Sequence, residues 1–145
     1  MKKIILSLVL LALISCSNDD GVKDPNIPIT PNSITAEYTI TEIVRPDGSI
    51  VPYGHQCAML KDYMYFDFTK IWVYTYNPNC ENYSIYVCDT YYVIDKRITG
   101  CNYILDGTIS EFTGQRMRID YDEVITSNNF NNGIGDVKGL ILVRR

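Results

Sequence analysis

Alternation of apolar and polar residues is the main pattern of the chain after residue 33. Residues 34–44 are rich in β-branched side chains. One alternating face of this segment carries Ala36, Tyr38 and Ile40. A period of two predicts a half-buried β-strand. Residues 45–48, Arg-Pro-Asp-Gly, predict a turn because proline presets φ and glycine tolerates a positive φ. Residues 49–53 are then predicted to return beside the first strand.

Two segments rich in aromatic residues, 58–68 and 70–77, predict a β-hairpin. A turn at residues 68–69 fixes a register that opposes Asp67 to Lys70, Tyr65 to Trp72, and Tyr63 to Tyr74. Opposed charges and opposed aromatic rings each stabilise a strand pair by about 0.2–1 kcal/mol. The same register brings Cys57 opposite Cys80, so we predict a disulfide between these two cysteines.

A second hairpin is predicted from residues 83–94 and 97–105, with its turn at Asp95-Lys96. A wider loop or a bulge would bring Cys88 opposite Cys101, which predicts a second disulfide. A third hairpin joins residues 108–112 to 115–121 and opposes Glu111 to Arg116. The inward side chains predicted for its second strand are Met117, Ile119 and Tyr121.

The end of the chain completes the predicted sheet. Residues 126–139 are crowded with Asn and Gly, which predicts a loop. The apolar run 139–143 predicts a buried last strand that pairs with the first long strand. No helical period exceeds two turns after residue 20, although a short helix near residues 121–125 is compatible with the pattern. These elements predict an all-β domain, a small antiparallel up-and-down β-barrel of about eight strands.

The start of the chain resembles a targeting signal. Two lysines precede the apolar residues 4–14, which would span about 16 Å as a helix, far less than the ~30 Å hydrocarbon core of a bilayer. This predicts a signal peptide and not a spanning helix. Residues 13–16, Leu-Ile-Ser-Cys, resemble the lipobox of bacterial lipoproteins. The resemblance implies cleavage before Cys16 and lipidation of Cys16. The alternative is a plain secretory signal with an incidental cysteine.

The residues that follow Cys16 indicate where in the cell the protein is located. Asp19 and Asp20 resemble the export signal by which some gram-negative bacteria display lipoproteins on the outer face of the outer membrane. We therefore expect a lipid-anchored protein of the outer membrane, at the cell surface. Prolines recur at every third residue, at Pro25, Pro28 and Pro31, which favours an extended tether. The predicted organisation is a signal peptide (1–15), a tether (16–33) and a barrel domain (34–145).

Composition narrows the classes of function. The formal net charge is −4 without a basic cluster, which argues against nucleic acid as a partner. Four cysteines follow Cys16, and an even number in an exported chain favours disulfides. Zinc is disfavoured because no CxxC pair is present and His55 is the only histidine. His55 also lies without a nucleophile elbow, so we predict no enzyme, no catalytic residue, no cofactor and no metal. The acidic residues Asp120, Asp122 and Glu123 lack the spacing of an EF-hand.

The combination of features resembles a known family. A lipobox, a tether, a first strand, Cys57 before a Phe/Tyr-rich strand and Cys80 after the next one are similar to lipocalin-like lipoproteins of gram-negative bacteria. The segment 107–119 is similar to a later hairpin of that family. One departure is residues 36–38, Ala-Glu-Tyr, where lipocalin-type strands carry Gly-x-Trp, so Tyr38 would serve as the plug of the barrel base. The resemblance implies a cavity for a small apolar ligand and no catalysis.

Aromatic residues suggest where binding takes place. Tyrosines are dense between residues 63 and 92, together with the only tryptophan. The candidate ligand-binding residues are Tyr63, Tyr65, Trp72 and Tyr74. These side chains would line a cavity for a small hydrophobic ligand, or form an outward patch that binds glycan or protein, or simply pack on half-buried strands. The first expectation is small-ligand binding inside the barrel, and the alternative is a non-catalytic interaction or adhesion module.

Overall fold

The computed structural model of the protein describes residues 27–100, 106–126 and 135–145. Within these ranges one short helix precedes ten β-strands. The elements are α1 Pro31–Ile34, β1 Ala36–Val44, β2 Ile50–Pro52, β3 Tyr63–Phe66, β4 Ile71–Tyr76, β5 Tyr83–Cys88, β6 Tyr92–Ile94, β7 Arg97–Thr99, β8 Gly107–Phe112, β9 Arg116–Ile125 and β10 Val137–Arg144. Cys16, the signal segment and most of the predicted tether lie outside the described residues.

The strands form one antiparallel sheet that curls into a half-barrel. Its order is β5-β4-β3-β1-β10-β9-β8-β7-β6, and β2 pairs with β1 beside this path. The all-β, up-and-down prediction is confirmed, with ten described strands in place of about eight. The last strand pairs with the first, as predicted. Because β5 and β6 occupy the two ends of the order, the described sheet is open between them.

The core lies on the concave face of the sheet. Its fully buried side chains include Tyr38, Ile40, Met64, Phe66, Ile71, Ile98, Ile109, Met117, Ile119, Leu140 and Leu142. The inward positions predicted in β9 are confirmed, since Met117, Ile119 and Tyr121 belong to this cluster. The alternating face predicted in β1 also packs here: Tyr38 and Ile40 are buried in the cluster and Ala36 is partly buried against it. Burial of such apolar side chains contributes about 25 cal/mol per Å² of area removed from water.

Helix α1 extends the domain toward the N-terminus. Thr30 caps the helix: its hydroxyl accepts from the backbone N–H of Ser33, and the Ser33 hydroxyl accepts from the backbone N–H of Thr30. Ile34 is fully buried and Ile29 packs against the same core. The predicted tether therefore overlaps the folded region at its last residues, and Ile34 is helical instead of starting the first strand. A four-residue helix is too short to show a period in the sequence.

Two predicted strands are shorter than expected. In the segment 58–68 only Tyr63–Phe66 is a strand, and residues 56–60 follow a bent path. The segment 83–94 divides into β5 and β6, because the N–H of buried Tyr91 bonds to the carbonyl of Thr69 at 3.1 Å and turns the chain there. The helix near residues 121–125 does not form, since β9 continues to Ile125.

Most predicted turns and registers agree with the structure. The β1–β2 turn closes with a 2.9 Å bond from the N–H of Gly48 to the carbonyl of Arg45. The β6–β7 turn lies at Asp95-Lys96, as predicted. The third hairpin differs: the N–H of Thr113 bonds to the carbonyl of Arg116 at 2.9 Å, so the turn lies at residues 114–115 and Glu111 is opposite Arg118. The Arg116 guanidinium still reaches the Glu111 carboxylate at 2.8 Å. The predicted loop also ends early, because β10 already begins at Val137.

The cysteines follow the prediction as far as the described residues reach. Cys57 and Cys80 form a disulfide across 23 residues of sequence, as the β3–β4 register predicted. Cys88 is also disulfide-bonded. Its predicted partner, Cys101, lies outside the described residues.

Candidate binding surface

The four candidate aromatic residues lie on the outer face of β3 and β4, opposite the core. Alternation assigns Met64, Phe66, Ile71 and Val73 to the concave side. The remaining positions, Tyr63, Tyr65, Trp72 and Tyr74, are half-buried on the other side. The structure thus brings all four together, but as an outward patch and not as the lining of an interior cavity.

The rings of this patch stack in cross-strand pairs. Tyr63 and Tyr74 lie opposite each other with ring centroids 4.4 Å apart and planes only 4° from parallel. Tyr65 and Trp72 stack at 5.1 Å and 18°. Such pairs contribute about 0.5–1.5 kcal/mol beyond the burial of their area. The predicted register therefore fixes the geometry of the patch directly.

Two more tyrosines extend the patch across the next hairpin. Tyr83 of β5 lies 5.9 Å from Tyr74 and 6.0 Å from Tyr76, measured between ring centroids. We call the resulting surface the aromatic face; it consists of Tyr63, Tyr65, Trp72, Tyr74, Tyr76 and Tyr83. Tyr76 and Tyr83 were not among the candidates, although Tyr76 shares the alternating face of Trp72 and Tyr74 in the sequence.

Arg145 closes one end of the aromatic face. Its guanidinium lies 4.4 Å from the ring centroid of Tyr63, a cation–π contact, and 3.6 Å from the Glu37 carboxylate. Burial is the main cause that raises the pKa of Tyr63 to about 12. No sequence signal identified Arg145, because its place depends on the pairing of β10 with β1.

The stacking determines what the aromatic face can bind. One side of the Tyr63 ring is covered by Tyr74 and Arg145 contacts the same ring. Trp72 has one side covered by Tyr65. A sugar stacks on an open ring face, whereas each of these cross-strand pairs covers one face of both of its rings. Ring edges and tyrosine hydroxyls suit the mixed apolar and polar side chains of a protein surface.

The concave side of the sheet carries the buried core of the described part of the chain. Tyr38, the proposed plug, is fully buried and contacts Phe66 edge-to-face at 5.6 Å. The hydroxyls of Tyr38 and Tyr121 are buried and have no hydrogen-bond partner among the described residues. Burial raises the pKa of both phenols.

An open groove of about 640 Å³ lies elsewhere, beside the β8–β9 hairpin. Its apolar lining consists of Ile27, Ile29, Ile109 and Phe112, and its charged lining of Lys96, Glu111, Arg118 and Asp120. The volume is in the range of small-molecule sites, about 300–1,000 Å³.

The single histidine belongs to a buried polar network. Nδ1 of His55 accepts from the backbone N–H of Asp62 at 2.9 Å. The fully buried Asp62 carboxylate accepts from the Tyr53 hydroxyl and from the N–H of Tyr76, both at 2.8 Å. Burial lowers the pKa of His55, and the nearby Asp62 charge partly offsets this. Cys57 is in a disulfide, so His55 has no thiolate beside it.

Two acidic residues near the end of β9, Asp120 and Asp122, are paired with arginines. Asp120 accepts from Arg118 at 2.9 Å, and Asp122 hydrogen-bonds to Arg97. In the ranges that the structure covers, no group of three or more His, Cys, Asp or Glu side chains is arranged to hold a metal ion. None of the described helices combines the length and the apolar character needed to cross a membrane.

Comparisons with known proteins identify no relative of this chain. No protein-family model matches the chain, and no curated protein or solved structure matches it significantly.

Proposed function

We propose that this protein is a lipid-anchored, non-catalytic interaction module of the bacterial cell surface that binds another protein through its aromatic face. The observation that carries this proposal is the row of stacked rings on the outer side of β3 and β4. Clustered aromatic side chains at a surface mark binding sites, and Tyr and Trp are enriched in the residues that dominate binding energy.

The anchor is part of the proposal. A lipobox-like segment ends at Cys16, and the acidic pair Asp19-Asp20 follows. Lipidation of Cys16 would hold the protein in the outer membrane. Several acyl chains on one residue bind a bilayer firmly, whereas one chain gives only marginal binding. The first strand of the sheet begins at Ala36, so residues 17–35 separate the proposed anchor from the sheet.

A protein partner fits the aromatic face better than a glycan. The paired rings cover one face of each other, and Arg145 and Glu37 add a charge pair at one end. Beyond Trp72 and Tyr74, the outer positions of β5 are the aliphatic Val87 and Ile85. An interface with an apolar centre and a polar rim has this composition.

Photo-crosslinking on intact cells tests the proposal. A photoreactive phenylalanine analogue replaces Tyr65 on the aromatic face, and in a matched control it replaces Phe68, an exposed aromatic residue in the β3–β4 turn. We expect one discrete protein adduct from position 65 and none from position 68. Equal adducts from both positions, or polysaccharide adducts alone from position 65, contradict the proposal.

A small apolar ligand is the second candidate function. The groove beside the β8–β9 hairpin favours it, because the apolar side chains of Ile27, Ile29 and Phe112 line the groove together with charged residues. Native mass spectrometry of the isolated protein tests this function. A bound lipid that is lost in Phe112→Ser supports it, and a ligand-free mass argues against it.

A further inference from the structure

Strand β5 is an exposed edge of the sheet. Among the described strands it pairs only with β4, through a continuous register from Ile71↔Cys88 to Tyr76↔Tyr83. Residues 83–87 are all exposed. Tyr83 is 57% exposed, Ile85 45% and Val87 48%. A sheet edge of this kind offers unpaired backbone groups to another strand.

The hydrogen-bond pattern shows which backbone groups are available. The N–H of Asn77 bonds to the carbonyl of Asn82 at 3.1 Å, so Asn77 and Asn82 form a hydrogen-bonded pair. Such pairs alternate along an antiparallel ladder. Ser84, Tyr86 and Cys88 therefore bond to β4. The N–H and C=O groups that point away from the sheet belong to Tyr83, Ile85 and Val87.

The strand lacks the features that protect edges. Natural edge strands carry lysine, proline, a bulge or an inward charge that blocks pairing. The sequence of β5, Tyr-Ser-Ile-Tyr-Val-Cys, contains no charged residue, no proline and no glycine. Its register with β4 shows no bulge. Uncharged segments of this length with high β-propensity pair readily with their own kind.

We propose that β5 pairs antiparallel with β5 of a second copy of this chain, around a two-fold axis at Ile85. This register joins Tyr83 to Val87 of the second copy and Ile85 to its own counterpart. It uses all the outward N–H and C=O groups of both strands, and it keeps the two outer faces on the same side of the joined sheet. The inference goes beyond the proposed function, because it depends on the β5 backbone and not on the rings.

Side chains and charges fit a second copy. The outer side of the joint would contain only Tyr83, Ile85 and Val87 from each copy, a self-complementary apolar row. The other side would pair Ser84 with Tyr86. At the two ends Glu81 faces Asp89 of the second copy, but the Asp89 carboxylate already lies 3.2 Å from the Lys70 ammonium. An isologous contact of this kind closes as a dimer and does not continue into fibres.

Disulfide trapping tests the pairing in the full chain. Opposed residues in a hydrogen-bonded pair have Cα atoms about 5.5 Å apart, within the range that a disulfide spans. We expect Ile85→Cys to give a covalent dimer under mild oxidation. The matched control is Ile94→Cys on β6, the other edge, where the side chain is 67% exposed; it should stay monomeric. A dimer from both variants, or from Ile94→Cys alone, overturns the proposal.

A second variant tests the backbone directly. Ile85→Pro removes an outward N–H while the bonds to β4 stay, since proline is tolerated on edge strands where its nitrogen faces solvent. Small interfaces associate weakly, so the dimer should appear as the protein concentration is raised toward about 1 mM. Sedimentation of the full chain in mild detergent measures this. Ile85→Pro should be monomeric with an unchanged circular dichroism spectrum, and Trp72→Ala should still dimerise.

The outcomes separate this inference from the proposed function. A monomeric wild-type chain at every concentration overturns the β5 pairing and leaves the crosslinks from position 65 unaffected. A dimer that Trp72→Ala abolishes and Ile85→Pro does not would place self-association on the aromatic face, and it also overturns the β5 pairing. If Ile85→Cys forms a disulfide only with a different protein and not with a second copy of this chain, that result also overturns the β5 pairing.

Discussion

Tyr63 and Tyr74 stack across the β3–β4 hairpin with their ring centroids 4.4 Å apart and their planes 4° from parallel. The guanidinium of Arg145 lies 4.4 Å from the centroid of the Tyr63 ring. Strand β10 pairs with β1, and β1 pairs with β3. This pairing brings Arg145, which follows β10, to the aromatic hairpin formed by β3 and β4. This arrangement fixes the two rings against each other on the outer face and makes them a preorganised surface.

The stacked pair should be energetically coupled. A double-mutant cycle with Tyr63→Ala and Tyr74→Ala should give a coupling energy of about 0.5–1.5 kcal/mol, measured by urea unfolding. The control cycle combines Tyr63→Ala with Tyr92→Ala on the distant strand β6. That pair should be additive, and strict additivity in the first cycle would show that the stacking contributes nothing.

The buried carboxylate of Asp62 should be important for stability. It accepts hydrogen bonds from the Tyr53 hydroxyl and the Tyr76 N–H. Asp62→Ala removes both of these hydrogen bonds and should lower the free energy of unfolding by about 2–5 kcal/mol. Tyr53→Phe removes one bond only and should cost about 1 kcal/mol. Equal, small losses in both variants would show that the network is not stabilising.

His55 should make the protein less stable in mild acid. Its pKa in the folded state is lowered by burial from 6.5, so the unfolded chain binds the proton more readily. The stability is fully present above pH 6.5 and is lost as the pH falls through the lower pKa of the folded state. Urea unfolding at a series of pH values should show this loss in the wild type and a reduced loss in His55→Gln. A flat profile in both contradicts it.

The tyrosines with raised pKa values should make the protein less stable in alkali. The pKa of Tyr91 is raised to about 12, chiefly by burial. The folded state keeps this proton longer than the unfolded chain, so stability is present below pH 10.0 and falls as the pH rises toward 12. Absorbance titration of the phenolates should show a late-titrating group that is missing in Tyr91→Phe. Titration of all tyrosines near pH 10 would contradict the assignment.

The unpaired hydroxyl of Tyr121 predicts a stabilising substitution. Among the described residues it has no hydrogen-bond partner, although the side chain is buried. Tyr121→Phe keeps the ring and removes a buried polar atom, so the free energy of unfolding should stay equal or rise by about 1 kcal/mol. Tyr53→Phe is the contrast, because its hydroxyl is bonded. A loss in Tyr121→Phe as large as that in Tyr53→Phe would show that its hydroxyl has a partner.

The elements that the sequence predicts well are local. The β3–β4 register follows from a two-residue turn and from opposed pairs such as Tyr65 and Trp72, and it also yields the Cys57–Cys80 disulfide. The parts that it misses depend on distant contacts. The segment 83–94 divides into two strands because the N–H of Tyr91 bonds to the carbonyl of Thr69. Arg145 reaches the aromatic face only through the pairing of β10 with β1.

The side on which the aromatic residues lie could not be predicted from the pattern alone. β3 reads Tyr-Met-Tyr-Phe, so both of its alternating faces are apolar or aromatic. Only the pairing with β1 and the packing of Met64 and Phe66 in the core show that Tyr63 and Tyr65 face outward. The same ambiguity left the cavity as the first expectation and the outward patch as the alternative.

The emission of Trp72, the only tryptophan, tests the central claim most directly. The protein partner captured by crosslinking at position 65 would be titrated into the full chain. We predict a blue shift or a quenching that saturates, with an affinity about tenfold weaker in Tyr65→Ala and unchanged in Phe68→Ala, where tenfold corresponds to about 1.4 kcal/mol. Unchanged Trp72 emission at saturation, or equal affinities in the two variants, would contradict binding through the aromatic face.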